Sequence, residues 1–111
     1  MIKLTEYTNY IMDFAKSILA IPSPSGYTKE IIPYLEKVVH QLGYPCYLTK
    51  KGNLIVEVEG STDVTLGLSG HVDTLGAMVR SVMSNGHLKF TTIGGPIWPT
   101  LDGEYCTIRT R

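Results

Sequence analysis

The sequence predicts a two-part chain: the start of an α/β layered domain over residues 1–75, followed by a small antiparallel β unit over residues 76–111. Three observations support this. Two early stretches carry apolar residues at helical spacing. Short strand-like runs follow them. Turn signals then crowd the last third of the chain.

The first predicted helix covers residues 5–20. Tyr7, Ile11, Phe14, Ala15, Ile18 and Leu19 fall on one face, and Pro22 ends it. Ser23-Pro24-Ser25-Gly26 reads as a loop. A second helix starts near Thr28, with Ile31, Ile32, Leu35, Val38, Val39 and Leu42 as its apolar face. Pro33 is tolerable because it falls in the first turn, and Gly43 stops the helix. Strands are expected at Tyr47–Thr49, at Asn53–Glu59 and at Val64–Ser69, the last buried on both faces. Beyond residue 75, Ala77–Met83, Leu88–Ile93 and Glu104–Thr110 read as strands. Asn85-Gly86, between two of these runs, is the strongest hairpin signal in the chain.

Composition narrows the function classes. In 111 residues the formal net charge is zero and the basic residues are scattered, so no stripe suits nucleic acid or an anionic membrane surface. No apolar run approaches the roughly 20 residues of a membrane span. The opening Met-Ile-Lys-Leu-Thr-Glu-Tyr lacks the apolar stretch of a signal peptide, so the cytoplasm is the expected location. Cys46 and Cys106 match no CxxC pattern and read as reduced, partly buried thiols. The chain ends inside an alternating run, Thr107-Ile108-Arg109-Thr110-Arg111, which suggests a fragment.

The chemistry centres on Leu66-Gly67-Leu68-Ser69-Gly70-His71-Val72-Asp73. If the apolar run is a strand in an open sheet, His71 sits at its carboxyl end, where ligands gather. A neutral imidazole is the commonest side-chain ligand for zinc-like metals. A carboxylate two residues on can take the other ring N–H and orient the ring. His-x-Asp is also common by chance, and one ligand is not a site, because a catalytic zinc needs about three. His40, near the end of the second helix, suits the helix dipole, and His87 follows a turn in solvent. Gly67-Leu68-Ser69-Gly70-His71 comes near a GxSxG elbow, but its second glycine is one place early. There is no phosphate-binding loop.

The run Ser69-Gly70-His71-Val72-Asp73-Thr74-Leu75-Gly76-Ala77-Met78-Val79-Arg80 is similar to a segment of metallopeptidase family 42. These are the glutamyl or tetrahedral aminopeptidases, also called cellulase M or FrvX-like proteins. Gly86-His87-Leu88-Lys89-Phe90 followed by Ile93-Gly94-Gly95, and the early Ile21-Pro22-Ser23-Pro24-Ser25-Gly26, resemble the family in the same order and spacing. The resemblance covers nearly the whole chain and corresponds to the family's N-terminal portion. It implies an α/β peptidase domain over residues 1–75, interrupted from residue 76 by the beginning of a β-barrel-like dimerisation domain. It implies two divalent metal ions, zinc or cobalt, in the full-length enzyme, with His71 as the first metal ligand and Asp73 as the catalytic acid that orients active-site groups. It implies peptide substrates and homo-oligomers, from dimers to dodecamers. The bridging aspartate, the Glu-Glu pair and the last ligands of the family come later than residue 111. Thr74 stands where many members carry Glu. The expected activity is release of N-terminal residues from peptides by the whole enzyme, with this chain inactive by itself. A stand-alone assembly or binding module, or one piece of a split enzyme, are the alternatives.

Overall fold

The computed structural model describes residues 4–110. Met1–Lys3 and Arg111 lie outside the described residues. The chain divides into two compact units, residues 1–74 and residues 75–111.

The first unit begins with α1 (Leu4–Leu19). Its apolar stripe is real but thinly covered: Phe14, Ala15 and Ile18 are half-buried, while Tyr7, Ile11 and Leu19 stay exposed. The Ile21 N–H bonds the Ile18 carbonyl, a tightened last turn, and Pro22 follows, which cannot continue the helix. The next helix, α2 (Ile31–Gln41), starts at Ile31 rather than near Thr28. Helical bonding nonetheless reaches back, because the Ile32 N–H bonds the Thr28 carbonyl at 3.1 Å. Pro33 is the third helical residue, in the first turn where a missing N–H is tolerated, and it skips one rung between the Ile32 bond and that of the Tyr34 N–H to the Glu30 carbonyl. At the other end, the Gly43 N–H bonds the His40 carbonyl and the Tyr44 N–H bonds the Val39 carbonyl. Gly43 has φ +84°, so the end is a Schellman motif whose left-handed residue is the predicted stop glycine.

Ile31 is fully buried, the one buried apolar side chain among the described residues. Burying it contributes about 1.5–3 kcal/mol. Phe14 of α1 stacks on Tyr34 of α2 at 6.4 Å between ring centroids. The α2 helix also packs on the hairpin of β1 (Cys46–Leu48) and β2 (Leu54–Val56). These strands are antiparallel, with Tyr47 opposite Ile55. Their loop is Lys50-Lys51-Gly52. The Gly52 N–H bonds the Thr49 carbonyl, and Gly52 takes φ +83°.

The expected buried strand at Val64–Ser69 is not formed. Val64, Leu66 and Leu68 are 82%, 82% and 92% exposed. An apolar run becomes a strand only where a neighbour supplies the hydrogen-bond ladder, and none of the described residues does so. Among the described residues of this unit the α/β layering is therefore expressed as α2 on a two-stranded antiparallel sheet, with no larger sheet.

The second unit is built on β3 (Gly76–Val82) and β4 (Leu88–Ile93), antiparallel as expected from Asn85-Gly86. The turn is not the two-residue type that Asn-Gly most often forms. Among the described residues none other than glycine has positive φ, so Asn85 is not left-handed. Instead the Gly86 N–H bonds the Met83 carbonyl and the Met83 N–H bonds the His87 carbonyl, closing a three-residue loop with Gly86 at φ +83°. The register shifts between Val79 and Ser81, so Arg80 is the extra residue of a bulge. A 3₁₀ turn at Trp98–Thr100 follows, and Trp98 packs on Phe90 of β4 at 5.8 Å. The predicted strand at Glu104–Thr110 is absent, and Tyr105 and Ile108 are exposed. It too lacks a partner ladder among the described residues.

Candidate functional site

His71 and Asp73 lie in an extended segment of the first unit with no regular strand before it. The expected placement at the carboxyl end of a buried strand is therefore corrected. What positions the segment is the Ser23–Tyr27 loop, about fifty residues earlier in the chain.

Ser23 is 1% exposed. Its hydroxyl donates to the Val72 carbonyl at 2.6 Å. Its backbone N–H donates to the Thr74 hydroxyl oxygen at 3.3 Å, and the Thr74 N–H donates back to the Ser23 carbonyl at 2.9 Å. Pro24 and Thr74 form an isolated parallel bridge. The loop then turns, with the Tyr27 N–H on the Pro24 carbonyl at 2.8 Å and Gly26 at φ +88°, a conformation glycine takes without steric cost. The turn places the Ser25 hydroxyl 2.6 Å from Asp73 Oδ2, to which it donates.

The other oxygen of Asp73, Oδ1, lies 2.8 Å from His71 Nδ1. An ionised carboxylate only accepts, so Nδ1 carries the proton. Donation from Ser25, and next the contact with His71, hold the Asp73 carboxyl below its ordinary value of 3.8. In the neutral ring the lone pair then resides on Nε2. Among the described residues Nε2 has no hydrogen-bond partner, and the His71 side chain is 86% exposed. This is the carboxylate–histidine arrangement that orients metal ligands. It fits one ligand position. Among the described residues no group of three His, Cys, Asp or Glu side chains is close enough to hold a metal ion.

The remaining candidates fall elsewhere. His40 is in the last turn of α2, as its spacing suggested, and its Nε2 lies 3.3 Å from Cys46 Sγ. His87 is exposed, with its backbone N–H on the Asn85 side chain at 3.1 Å. Both cysteines are free; Cys46 is half-buried, but Cys106 is exposed rather than partly buried. Ser69, of the GxSxG-like run, is exposed and outside any helix or strand. Ser23, Ser25 and Thr74 were not singled out as site residues by sequence reasoning. The signal for them was the Ser-Pro-Ser-Gly loop, whose residue types suggest a turn and do not say what the turn holds.

Comparison with known proteins defines the class first. Residues 52–111 match the M42 glutamyl aminopeptidase family, a family of hydrolases. The chain belongs to this family. It is 40% identical over 100 residues, 89% of the chain, to the Bacillus subtilis (strain 168) protein named "Putative aminopeptidase YhfE", covering 29% of that protein. It is 36% identical over 62 residues to the Pyrococcus abyssi (strain GE5 / Orsay) protein named "Putative [LysW]-lysine/[LysW]-ornithine hydrolase", covering 56% of this chain and 18% of that protein. A protein of the same name from Pyrococcus furiosus is 31% identical over 77 residues, covering 69% of this chain and 23% of that protein. The chain thus spans less than a third of the length of these curated relatives. Among the described residues no helix is long and apolar enough to cross a membrane.

Proposed function

We propose that this chain supplies the first metal-ligand corner of a two-metal aminopeptidase that releases N-terminal residues from peptides. His71 is the ligand, through Nε2, and Asp73 is the acid that orients it. The observation that carries this reading is the 2.8 Å contact between His71 Nδ1 and Asp73 Oδ1, which leaves Nε2 without a partner among the described residues. Two divalent ions, zinc or cobalt, supply Lewis-acid polarisation of a peptide carbonyl and acidify water when bound. The residues present fit one ligand position and not a closed site, since a catalytic zinc needs about three protein ligands. The chain alone therefore holds a corner of the site and performs no hydrolysis. The rest of the polypeptide, joined to it or supplied as a second chain, completes the ligand set. On the same reading the β unit from residue 76 begins a dimerisation domain of a cytoplasmic homo-oligomer. A purely assembling role finds less support, because it leaves the His71–Asp73–Ser25 chain of hydrogen bonds without a purpose.

Hydrolysis of aminoacyl anilides tests this. The chain alone is expected to show no chelator-sensitive turnover. Fused to the part of the Bacillus subtilis relative that follows the matched region, it is expected to show turnover that chelation and His71→Ala both abolish. Chelator-sensitive turnover by the chain alone, or turnover of the fusion that survives His71→Ala, overturns the reading.

A further inference from the structure

We propose that Ser25 is a positioning residue for the His71–Asp73 pair, its hydroxyl fixing the carboxylate so that the imidazole keeps its proton on Nδ1 and offers Nε2 to a divalent ion. The proposal rests on the reading of His71 as a metal ligand and adds a residue to it. Asp73 uses both oxygens, each on a different partner: Oδ1 on His71 Nδ1 at 2.8 Å and Oδ2 on Ser25 Oγ at 2.6 Å. The terminal torsion of an aspartate is soft and close to two-fold. With one bond to an exposed ring, the carboxylate is free to rotate and exchange its oxygens. A second short, charge-assisted bond on the opposite oxygen opposes that rotation.

Ser25 is itself exposed, so its bond matters only if its backbone is held. It is held twice. On one side Ser23 is buried and bonded to Val72 and Thr74, and Pro24 bridges Thr74. On the other, the Tyr27 N–H closes the turn onto the Pro24 carbonyl. The residue that steadies Asp73 thus projects from a loop already clamped to the residues flanking Asp73. Thr74 spends its hydroxyl on that clamp by accepting the Ser23 N–H.

The test is the ring tautomer of His71, read from ¹⁵N shifts on the full chain at alkaline pH, with a zinc titration beside it. In water a neutral imidazole favours the proton on Nε2. The wild-type chain is expected to show it mainly on Nδ1. Ser25→Ala is expected to move the population toward Nε2–H and to weaken zinc binding several-fold. Ser25→Thr, which keeps the hydroxyl, is expected to restore both. An unchanged tautomer in Ser25→Ala, or a Thr variant no better than Ala, overturns the proposal. If Ser25→Ala loses the Cys46–Val56 hairpin signals, the wild type decides: an Nε2–H ring at His71 overturns it, and an Nδ1–H ring with a slowly exchanging Ser25 hydroxyl proton supports it. Zinc that leaves the His71 ring unshifted overturns the ligand reading alone, while the tautomer comparison still judges Ser25.

Discussion

Removing the Ser23 hydroxyl tests the clamp that holds the candidate site. Ser23→Ala deletes the 2.6 Å bond to the Val72 carbonyl and leaves that acceptor without its partner beside a residue only 1% exposed. Serine and alanine are close in size, so no cavity of consequence forms. The two bonds between the Ser23 and Thr74 segments survive, because on the Ser23 side both use backbone atoms. Deleting one partner of a partly buried hydrogen bond costs about 1–3 kcal/mol, and the surviving bonds place this case at about 1–2 kcal/mol. That corresponds to a roughly 5- to 30-fold rise in local opening. Amide hydrogen exchange at Thr74, whose N–H bonds the Ser23 carbonyl, reads this opening directly. The Gly86 amide, in the hairpin turn of the second unit, serves as the internal control. Protection at Thr74 should fall by that factor while Gly86 holds. Unchanged protection at Thr74, or an equal loss at both amides, refutes the assignment of Ser23 as a local clamp.

Other consequences follow from particular residues. The Asp73 carboxyl is held below its ordinary value, first by Ser25 and then by His71, so the folded state favours its ionised form. Its contribution to stability is present above the ordinary 3.8 and is lost as pH falls through the lower folded value. The Asp73 side-chain carbon signal should accordingly titrate below the ordinary 3.8; titration at or above it contradicts the geometry. Gly94 has φ +83°, and a Cβ there would lie 2.8 Å from Leu75 Cδ2, whereas Gly95 has open space and no positive φ. Gly94→Ala should cost about 1–2 kcal/mol from the left-handed backbone, with little added by the flexible leucine end. Gly95→Ala should be near neutral, both read by urea titration of Trp98 fluorescence. Val64, Leu66 and Leu68 form an exposed apolar run, so the chain should self-associate in sedimentation experiments, and Leu66→Lys with Leu68→Lys should reduce this. A wild-type chain that stays monomeric as concentration rises contradicts it.

What was legible in the sequence was local. Both helices follow from apolar spacing, Gly43 from its place after a periodic run, and the β3–β4 hairpin from Asn85-Gly86. His71 and Asp73 were readable as a pair because they stand two positions apart and their side chains meet without help from distant elements. What was not legible depends on partners far along the chain. Val64–Ser69 has the pattern of a strand, but pattern supplies only one half of a ladder. The same holds for Glu104–Thr110. The three-residue loop at Gly86 and the bulge at Arg80 depend on how two twisted strands settle their register, which Asn-Gly alone does not specify. The Ser23–Ser25 clamp joins segments about fifty residues apart, and no periodicity encodes such a meeting.

On the proposed reading the His71 ring, steadied by Asp73, presents Nε2 to a divalent ion. Titrating the chain with cobalt(II) while following the three histidine rings by NMR addresses it most directly. His71 is expected to broaden first, ahead of His40 and His87, and Asp73→Asn to weaken the effect roughly 10- to 100-fold, the usual penalty for losing the partner of a ligating histidine. Broadening that begins at His40 beside Cys46, or that is indifferent to Asp73→Asn, contradicts it.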